Sequence, residues 1–497
     1  MLFRPLPRRP ARRGPLHRSC TWAVWLALAG CAPPLPTLAP SAWPVPDTYA
    51  DAPAQASAPA PDWHAHFTDP ALRGLLEQAL EHNRDLRAAM LRVEEARLAY
   101  GLQRGERLPT VAANLAATRA AVPGVLNATG RRVVGTLFQP GLGFAHWEID
   151  FWGRIGSLSE AALQTTLASE AAQRAVRLGL ITQVAHSYLL LREADERLAL
   201  AQASLDSRAE SLRIFRRRTA LGATSRLELT QVELLWQQAS SLVAQLQQVR
   251  ATQQQALAVL VGAPIDWPPR QAPQQPLDSL VLAPPLAAGL PSELLVRRPD
   301  IVAAEHGLQA AQAQIAAARA AFFPRIALTA SAGAASTALD NLFQAGNQAW
   351  SFAPTLSLPL WDGGQRQAGL DLAVVRREQA VVRYEQSIQA AFRDVSDALS
   401  AQRWLDEQVR HLRATLALQN ERARLARLRY EHGATRYLEV LDAERDRLSA
   451  EQQLVQTRRA QLSAQVALYA ALGGGADNAQ DPARPALAEP STGNPTP

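Results

Sequence analysis

The chain has 497 residues, with 51 basic residues against 45 acidic ones, no lysine and two cysteines. Six arginines (Arg4, Arg8, Arg9, Arg12, Arg13 and Arg18) precede Cys31 and no acidic residue does, so the remainder balances at 51 − 6 = 45 basic and 45 acidic residues. A neutral body removes the electrostatic support for nucleic-acid binding, and Cys20 and Cys31 supply neither a disulfide framework nor a thiolate metal site.

The basic N-terminus runs into Thr21-Trp22-Ala23-Val24-Trp25-Leu26-Ala27-Leu28-Ala29. That stretch is too short to span a bilayer, and residues 1–30 read as a removable export signal. Leu28-Ala29-Gly30-Cys31 resembles a bacterial lipobox, which makes Cys31 the expected lipid-attachment site. The plainer alternative is an ordinary secretory signal with an incidental cysteine. Residues 31–61, rich in Pro, Ala and Ser, predict an extended, lipidated tether. No later stretch reaches 18 consecutive apolar residues, so no transmembrane helix is expected.

A first structural repeat is expected over 62–263. A helix near 84–107 is stopped by Pro109, and Val111, Ala113 and Leu115 alternate with Thr110, Ala112 and Asn114 as in a strand. From Gly153 to about Ala220 there is no proline, and Val184, Leu191, Leu198, Leu205 and Leu212 recur every seven residues as in a coiled-coil seam. Such a helix is about 100 Å long at 1.5 Å per residue. Gly222 turns the chain, and Leu235, Leu242, Val249 and Ala256 mark the helix that returns. Residues 264–291, dense in proline, predict an inter-repeat linker.

The second repeat, 292–475, has the same plan. A helix near 299–321 ends at Pro324, and Ile326, Leu328 and Ala330 alternate with polar or small neighbours. Trp350, Phe352, Leu356, Leu358 and Leu360 share one parity. A second long helix runs from Gly364 to about His432 with Ala398, Leu405 and Leu412 in register. After Gly433 the return helix carries Leu441, Leu448, Val455, Leu462 and Tyr469. Residues 476–497 predict a disordered tail. The repeats are written in the turns themselves: Asp150–Arg154 matches Asp362–Arg366, and Leu221-Gly222-Ala223-Thr224 matches His432-Gly433-Ala434-Thr435. The offsets agree, since 364 − 153 = 211 and 433 − 222 = 211.

Period-two alternation with one apolar face fits a membrane strand or a half-buried soluble sheet equally. Four strands cannot close a barrel, and an open edge is not viable in lipid. Three chains would supply twelve strands and close it. The chain shows no Walker loop, no HExxH and no serine elbow, so no enzyme is expected. His64 and His66 lack companion ligands in sequence, and Met1 and Met90 are the only methionines.

The chain resembles the outer-membrane factors of tripartite efflux systems, of the TolC/OprM type, and within them the NodT-like outer-membrane lipoproteins. The marks are Trp63, Phe67-Thr68-Asp69-Pro70-Ala71-Leu72, Trp147–Arg154, Arg298-Pro299-Asp300-Ile301, Phe323-Pro324, Pro359–Gly364, Tyr437–Ala443 and Leu468–Gly475. The resemblance implies an α+β membrane protein: a homotrimer whose twelve-stranded transmembrane β-barrel, four strands per chain, continues into a long periplasmic α-helical barrel. It implies outer-membrane lipid around the barrel, a periplasmic adaptor and an inner-membrane pump of RND type as partners, and no cofactor beyond the covalent lipid on Cys31. Tyr430 matches an aromatic gate position, and Glu439 and Asp442 match acidic positions lining the aperture. Arg436 is the basic residue available for a gate salt bridge, one step later than the family's usual place. Gly222 and Gly433 would shape the hairpin tips against the adaptor, with Glu228, the counterpart of Glu439, facing outward or toward it. Interhelical packing for Tyr430 and a solvated helix start for Glu439 and Asp442 are the plainer readings. A type I protein-secretion duct and a lipid-anchored periplasmic scaffold are the alternative functions.

Overall fold

The computed structural model describes residues 45–46, 48–49, 61–128, 130–265, 276–280, 282, 286 and 297–475. The export signal, Cys31, nearly all of the tether, most of the 264–291 linker and the tail therefore lie outside the described residues. The chain forms two compact units: a sheet unit drawn from Glu106–Ser157 and Ile315–Leu370, and a helical unit drawn from the other described residues.

The sheet unit holds β1 (Ala112–Val122), β2 (Val133–Glu148), β3 (Arg325–Ala334) and β4 (Gln348–Ser357). They form one sheet in the order β1-β2-β3-β4 with antiparallel neighbours throughout, so β1 and β4 each keep an unpaired edge. Register assembles the alternating residues into a continuous apolar face. Leu115 sits opposite Pro140 and Ala117 opposite Phe138, Phe144 opposite Ala330, and Phe352 opposite Ala330 with Trp350 opposite Ala332. This face is bare, with Trp350 79% and Phe352 61% exposed. The other face carries Asn114, Gln139, Thr329 and Ser331, and the Ser331 and Ser351 hydroxyls meet at 2.8 Å. Glycines let β2 and β3 approach on that side: a Cβ at Gly333 would lie 2.1 Å from the Pro140 carbonyl oxygen. The register slips between Phe144 and Trp147, where His146 takes a positive φ of 52°.

The helices are α1 (Trp63–His66), α2 (Pro70–His82), α3 (Arg84–Gly105), α4 (Arg154–Ala220), α5 (Arg226–Val261), α6 (Pro299–Ala320), α7 (Gln365–Glu431) and α8 (Tyr437–Ala471). The long ones, α4 and α7, have 67 residues each. Asp69 caps α2 by accepting from the Ala71 amide at 2.8 Å, and Pro70 occupies the first turn, where a missing N–H costs nothing. The core of this unit gathers Phe67, Leu76, Val184, Leu257, Leu462 and Tyr469. His66 lies in it at 1% exposure, stacked on Tyr469 with ring centroids 4.4 Å apart.

The expected seams hold along α8, where Leu441, Leu448, Val455, Leu462 and Tyr469 are all buried, and along α4 except at half-buried Leu205. On α5 they fail: Val249 and Ala256 are exposed, while Val232, Ala239, Val243, Leu246 and Leu257 are buried. A straight helix drifts by about 20° per heptad against a strict seven-residue repeat. The buried α5 residues mix seven- and eleven-residue spacings and follow the straight helix instead.

Each repeat joins a long return helix to a short one through a single polar side chain. In the first, Asn83 donates from Nδ2 to the Leu260 carbonyl of α5 at 2.7 Å, and its Oδ1 accepts from the Leu86 amide of α3 at 2.9 Å. One amide thus satisfies a helix C-terminus and a helix N-terminus together. In the second, Arg298 does the same work with charge. It donates to the Ala471 carbonyl of α8 at 3.3 Å and pairs with Asp300 at 2.7 Å and Asp394 at 3.3 Å. Gly262 and Gly473 complete the two junctions with positive φ, where a Cβ would fall 2.6 Å from the His82 carbonyl oxygen and 2.7 Å from that of Arg297.

Candidate functional site at the hairpin tips

The turns between α4 and α5 and between α7 and α8 repeat down to individual hydrogen bonds. Gly222 and Gly433 both sit at φ +72°. The Gly222 amide donates to the Thr219 carbonyl at 3.0 Å and the Ala223 amide to Arg218 at 2.9 Å; Gly433 donates to Tyr430 at 2.9 Å and Ala434 to Arg429 at 2.8 Å. A Cβ at either glycine would meet nothing within 4 Å, so the requirement is the left-handed backbone rather than space.

The tips diverge at the next helix start. In the first, Ser225 caps α5 by accepting from the Glu228 amide at 3.1 Å, and Glu228 accepts in return from the Ser225 amide at 3.2 Å. The Thr224 hydroxyl also donates to Glu228. These donors, with the Arg436 charge nearby, hold the Glu228 carboxyl below its ordinary range. Glu228 is thus committed to a capping box. The residue 211 places after Ser225 is Arg436, which has no side-chain cap bond. Glu439, the counterpart of Glu228, is therefore released from capping and pairs with Arg429 at 3.4 Å. Asp442, one turn on, pairs with Arg445 at 3.1 Å. Among the described residues Arg436 has no ion pair within its own protomer.

The two hairpins meet through aromatic groups. Tyr437 lies between Phe215 and Tyr430, with ring centroids 4.8 and 4.9 Å away. Its hydroxyl is 2.6 Å from the Ser211 hydroxyl on α4. Arg218 of α4 rests 5.9 Å from the Phe215 ring centroid and donates to the Tyr430 hydroxyl at 2.8 Å. Below this cluster Leu212, Phe215, Val232 and Leu441 pack as one apolar group from α4, α5 and α8. Pairs Arg422–Asp446 at 2.7 Å and Arg427–Glu444 at 3.0 Å continue the α7–α8 contact away from the tip.

Of the residues predicted from sequence, the structure brings Tyr430, Glu439, Gly433 and Arg436 to one turn, with Asp442 a helical turn beyond. It sets Gly222 and Glu228 on the companion turn. Sequence reasoning missed Arg218 and Tyr437 as partners of Tyr430, and Phe215 and Ser211 as partners of Tyr437. The 211-residue offset aligns Arg218 with Arg429 and Thr219 with Tyr430 as equivalent positions, and so gives no signal of the contact between Arg218 and Tyr430.

The family model described as outer membrane efflux protein matches residues 75–263 and 290–474. The outer membrane protein OprJ of Pseudomonas aeruginosa is 41% identical over 459 residues, covering 91% of this chain and 95% of that protein. The solvent efflux pump outer membrane protein SrpC of Pseudomonas putida is 42% identical over 409 residues, covering 82% and 86% respectively. Among solved structures, the open state of the Neisseria gonorrhoeae MtrE outer membrane channel superposes with a TM-score of 0.81 at 38% identity, covering 89% of this chain and 98% of that one.

Proposed function

The chain belongs to the outer membrane efflux protein family and is an outer-membrane efflux channel, and on that premise we propose that it is the passive exit duct of a three-component pump whose shut state is held at the hairpin tips. Three copies close β1 of one onto β4 of the next, because an edge left open in lipid strands its N–H and C=O groups at several kcal/mol each. The apolar sheet face, with Trp350 and Phe352, meets lipid; the face with Asn114, Gln139 and Ser331 lines the lumen. Lipid on Cys31 adds a second anchor.

Arg218–Tyr430 is the observation that carries the closed-tip reading, since it ties a helix of the first hairpin to the last turn of the second. Freed from capping, Glu439 joins Asp442 on one helix face, and threefold symmetry turns each into a ring of three carboxylates that favours cations. The turns at Gly222 and Gly433 present the surface for a periplasmic adaptor, which links the duct to an inner-membrane pump of RND type. Small apolar compounds are the cargo this reading favours; solvent efflux and toluene efflux stand in the names of relatives.

Planar-bilayer conductance of the detergent-purified protein tests the proposal. Wild type should give small, cation-selective currents; Arg218→Ala should enlarge them, and Glu439→Ala/Asp442→Ala should abolish the cation preference. Intact trimers whose conductance and selectivity are untouched by both variants would overturn the tip as gate.

A further inference from the structure

One charged side chain stands inside the apolar face of the sheet. Arg119, Glu148 and Arg325 are the only arginine, aspartate or glutamate residues in the four strands, and Glu148 and Arg325 are terminal residues of β2 and β3. Arg119 is interior to β1, three residues before its last residue, Val122. Directly opposed residues of an antiparallel pair point to the same side. Arg119 lies opposite Thr136, as Ala117 lies opposite Phe138 and Leu115 opposite Pro140. Its side chain therefore leaves the sheet on the face that carries Phe352 and Trp350. Leu115 and Val134 flank it on that face, both exposed. A charge on a lipid-facing strand is destabilising, least so near the membrane surface, and such charges pair with a polar partner. Arg119 has none within its protomer: among the described residues its guanidinium makes no hydrogen bond and no ion pair.

A second arginine joins it from the turn. Arg132 precedes β2 by one residue and keeps the parity of Val134 and Thr136. It lies four residues from Thr136, about 14 Å further toward the turn, and among the described residues its guanidinium is likewise unpaired. The turn is braced, since Asn127 donates from Nδ2 to the Pro123 carbonyl at 3.1 Å and to the Arg131 carbonyl at 2.9 Å. Charge at this end of the sheet is one-sided. Residues 119–132 hold three arginines and no acid, and the β3–β4 turn, 335–347, adds only Asp340.

We infer that Arg119 and Arg132 form a docking site for the phosphate-bearing headgroup of a lipid, in the membrane leaflet at the hairpin end of the sheet. The inference rests on the lipid-facing assignment of this face proposed above. Each guanidinium offers a planar fork of donors that matches a phosphate. The stem of Arg119 lies along the apolar face while its head rises toward the surface. Leu115, Val134 and Phe138 receive the acyl chains, which selects a lipid over free phosphate as the occupant. Two cations at different depths suit a headgroup with two phosphates better than one with a single phosphate.

The test is native mass spectrometry of the full-length, detergent-purified protein titrated with diphosphoryl lipid A, with dephosphorylated lipid A and inorganic phosphate as the comparison arms. Wild type should retain the diphosphoryl lipid and bind the dephosphorylated one about tenfold more weakly; excess inorganic phosphate should not displace the bound lipid. Arg119→Gln/Arg132→Gln should lose about tenfold in affinity for the diphosphoryl lipid alone. Arg325→Gln, at the opposite end of the sheet, should bind as wild type does. Intact double-variant trimers that hold the diphosphoryl lipid as tightly as wild type, or release of the lipid by inorganic phosphate, would overturn the site while leaving the efflux duct intact. A Cys31→Ser form that stays soluble without detergent would instead overturn the lipid-facing sheet itself.

Discussion

His66 should make the docking of the N-terminal segment weaken in acid. Its ring is buried against Tyr469 and edge-on to Phe67 at 4.9 Å, and neither ring nitrogen has a hydrogen-bond partner. Burial lowers its pKa from 6.5 to about 4. Above pH 6.5 the imidazole is neutral whether the segment is docked or released, and docking is indifferent to it. As pH falls below 6.5, the released segment takes up a proton that the docked one refuses, so stability declines and levels off near pH 4. Each tenfold change in proton affinity is worth about 1.4 kcal/mol, so the full penalty is about 3 kcal/mol and the part felt at pH 5 about 2 kcal/mol. The charges near Tyr469 are Asp62, which favours a cation there, and Arg177, which opposes it. Burial also lowers His186, with Arg459 nearby, so part of any acid effect belongs there. The readout is therefore the difference made by His66→Phe. Hydrogen exchange of the Ala65, His66 and Phe67 amides, which donate to Asp62 and Trp63 carbonyls, should show opening about 20-fold more favourable at pH 5 than at pH 7 after correction for intrinsic rates. His66→Phe should remove most of that factor. An unchanged factor in His66→Phe, or a His66 titration midpoint near 6.5 by NMR, would refute the reasoning.

Other substitutions separate the two repeats. Ser225→Ala should destabilise by about 1 kcal/mol through loss of the capping box, whereas Arg436→Ser should stabilise by about as much and draw Glu439 away from Arg429; melting temperatures compare them. Asn83→Ala, which strips a partner from the Leu260 carbonyl and the Leu86 amide, should cost about 1–3 kcal/mol. Arg298→Ala should cost about 1–3 kcal/mol, chiefly because it strips the Ala471 carbonyl of its donor, since Asp300 and Asp394 are 40% and 37% exposed and Asp394 keeps Arg393; both are measured by urea unfolding of the detergent-solubilised protein. Gly333→Val should block β2–β3 pairing and membrane assembly, since its Cβ would fall 2.1 Å from the Pro140 oxygen, while Gly135→Val, with nothing within 4 Å, should assemble normally in a heat-modifiability assay.

The long helices were legible because a repeated local signal runs uninterrupted through each. Sixty-odd residues without proline, apolar every third or fourth place and closed by a glycine, leave the backbone little else to do. The strands flanking β2 were legible by parity. β2 itself was not located, because Gly135, Pro140, Gly141 and Gly143 read as turn residues; only pairing on both sides makes them a strand, with Gly141 and Gly333 meeting across the ladder. At the tip, the glycines and Glu439 could be named from the repeat, but the Arg218–Tyr430 bond joins residues 212 positions apart, and no local pattern announces it.

The sequence alone determined the duplication, the direction and length of each helix, the left-handed turns at Gly222 and Gly433, and the alternation that divides each strand into two faces. All are encoded within a few residues of one another, where backbone sterics and side-chain period act directly. Only the tertiary structure decided which partners those elements found. The same position in two repeats became Ser225, a cap, and Arg436, which is not, so Glu228 is bound locally while Glu439 is free to reach Arg429. Asn83 and Arg298 solved one junction with different chemistry. Such choices depend on what lies across a helix–helix gap, and the energy of a side chain there belongs to the pair rather than to either residue.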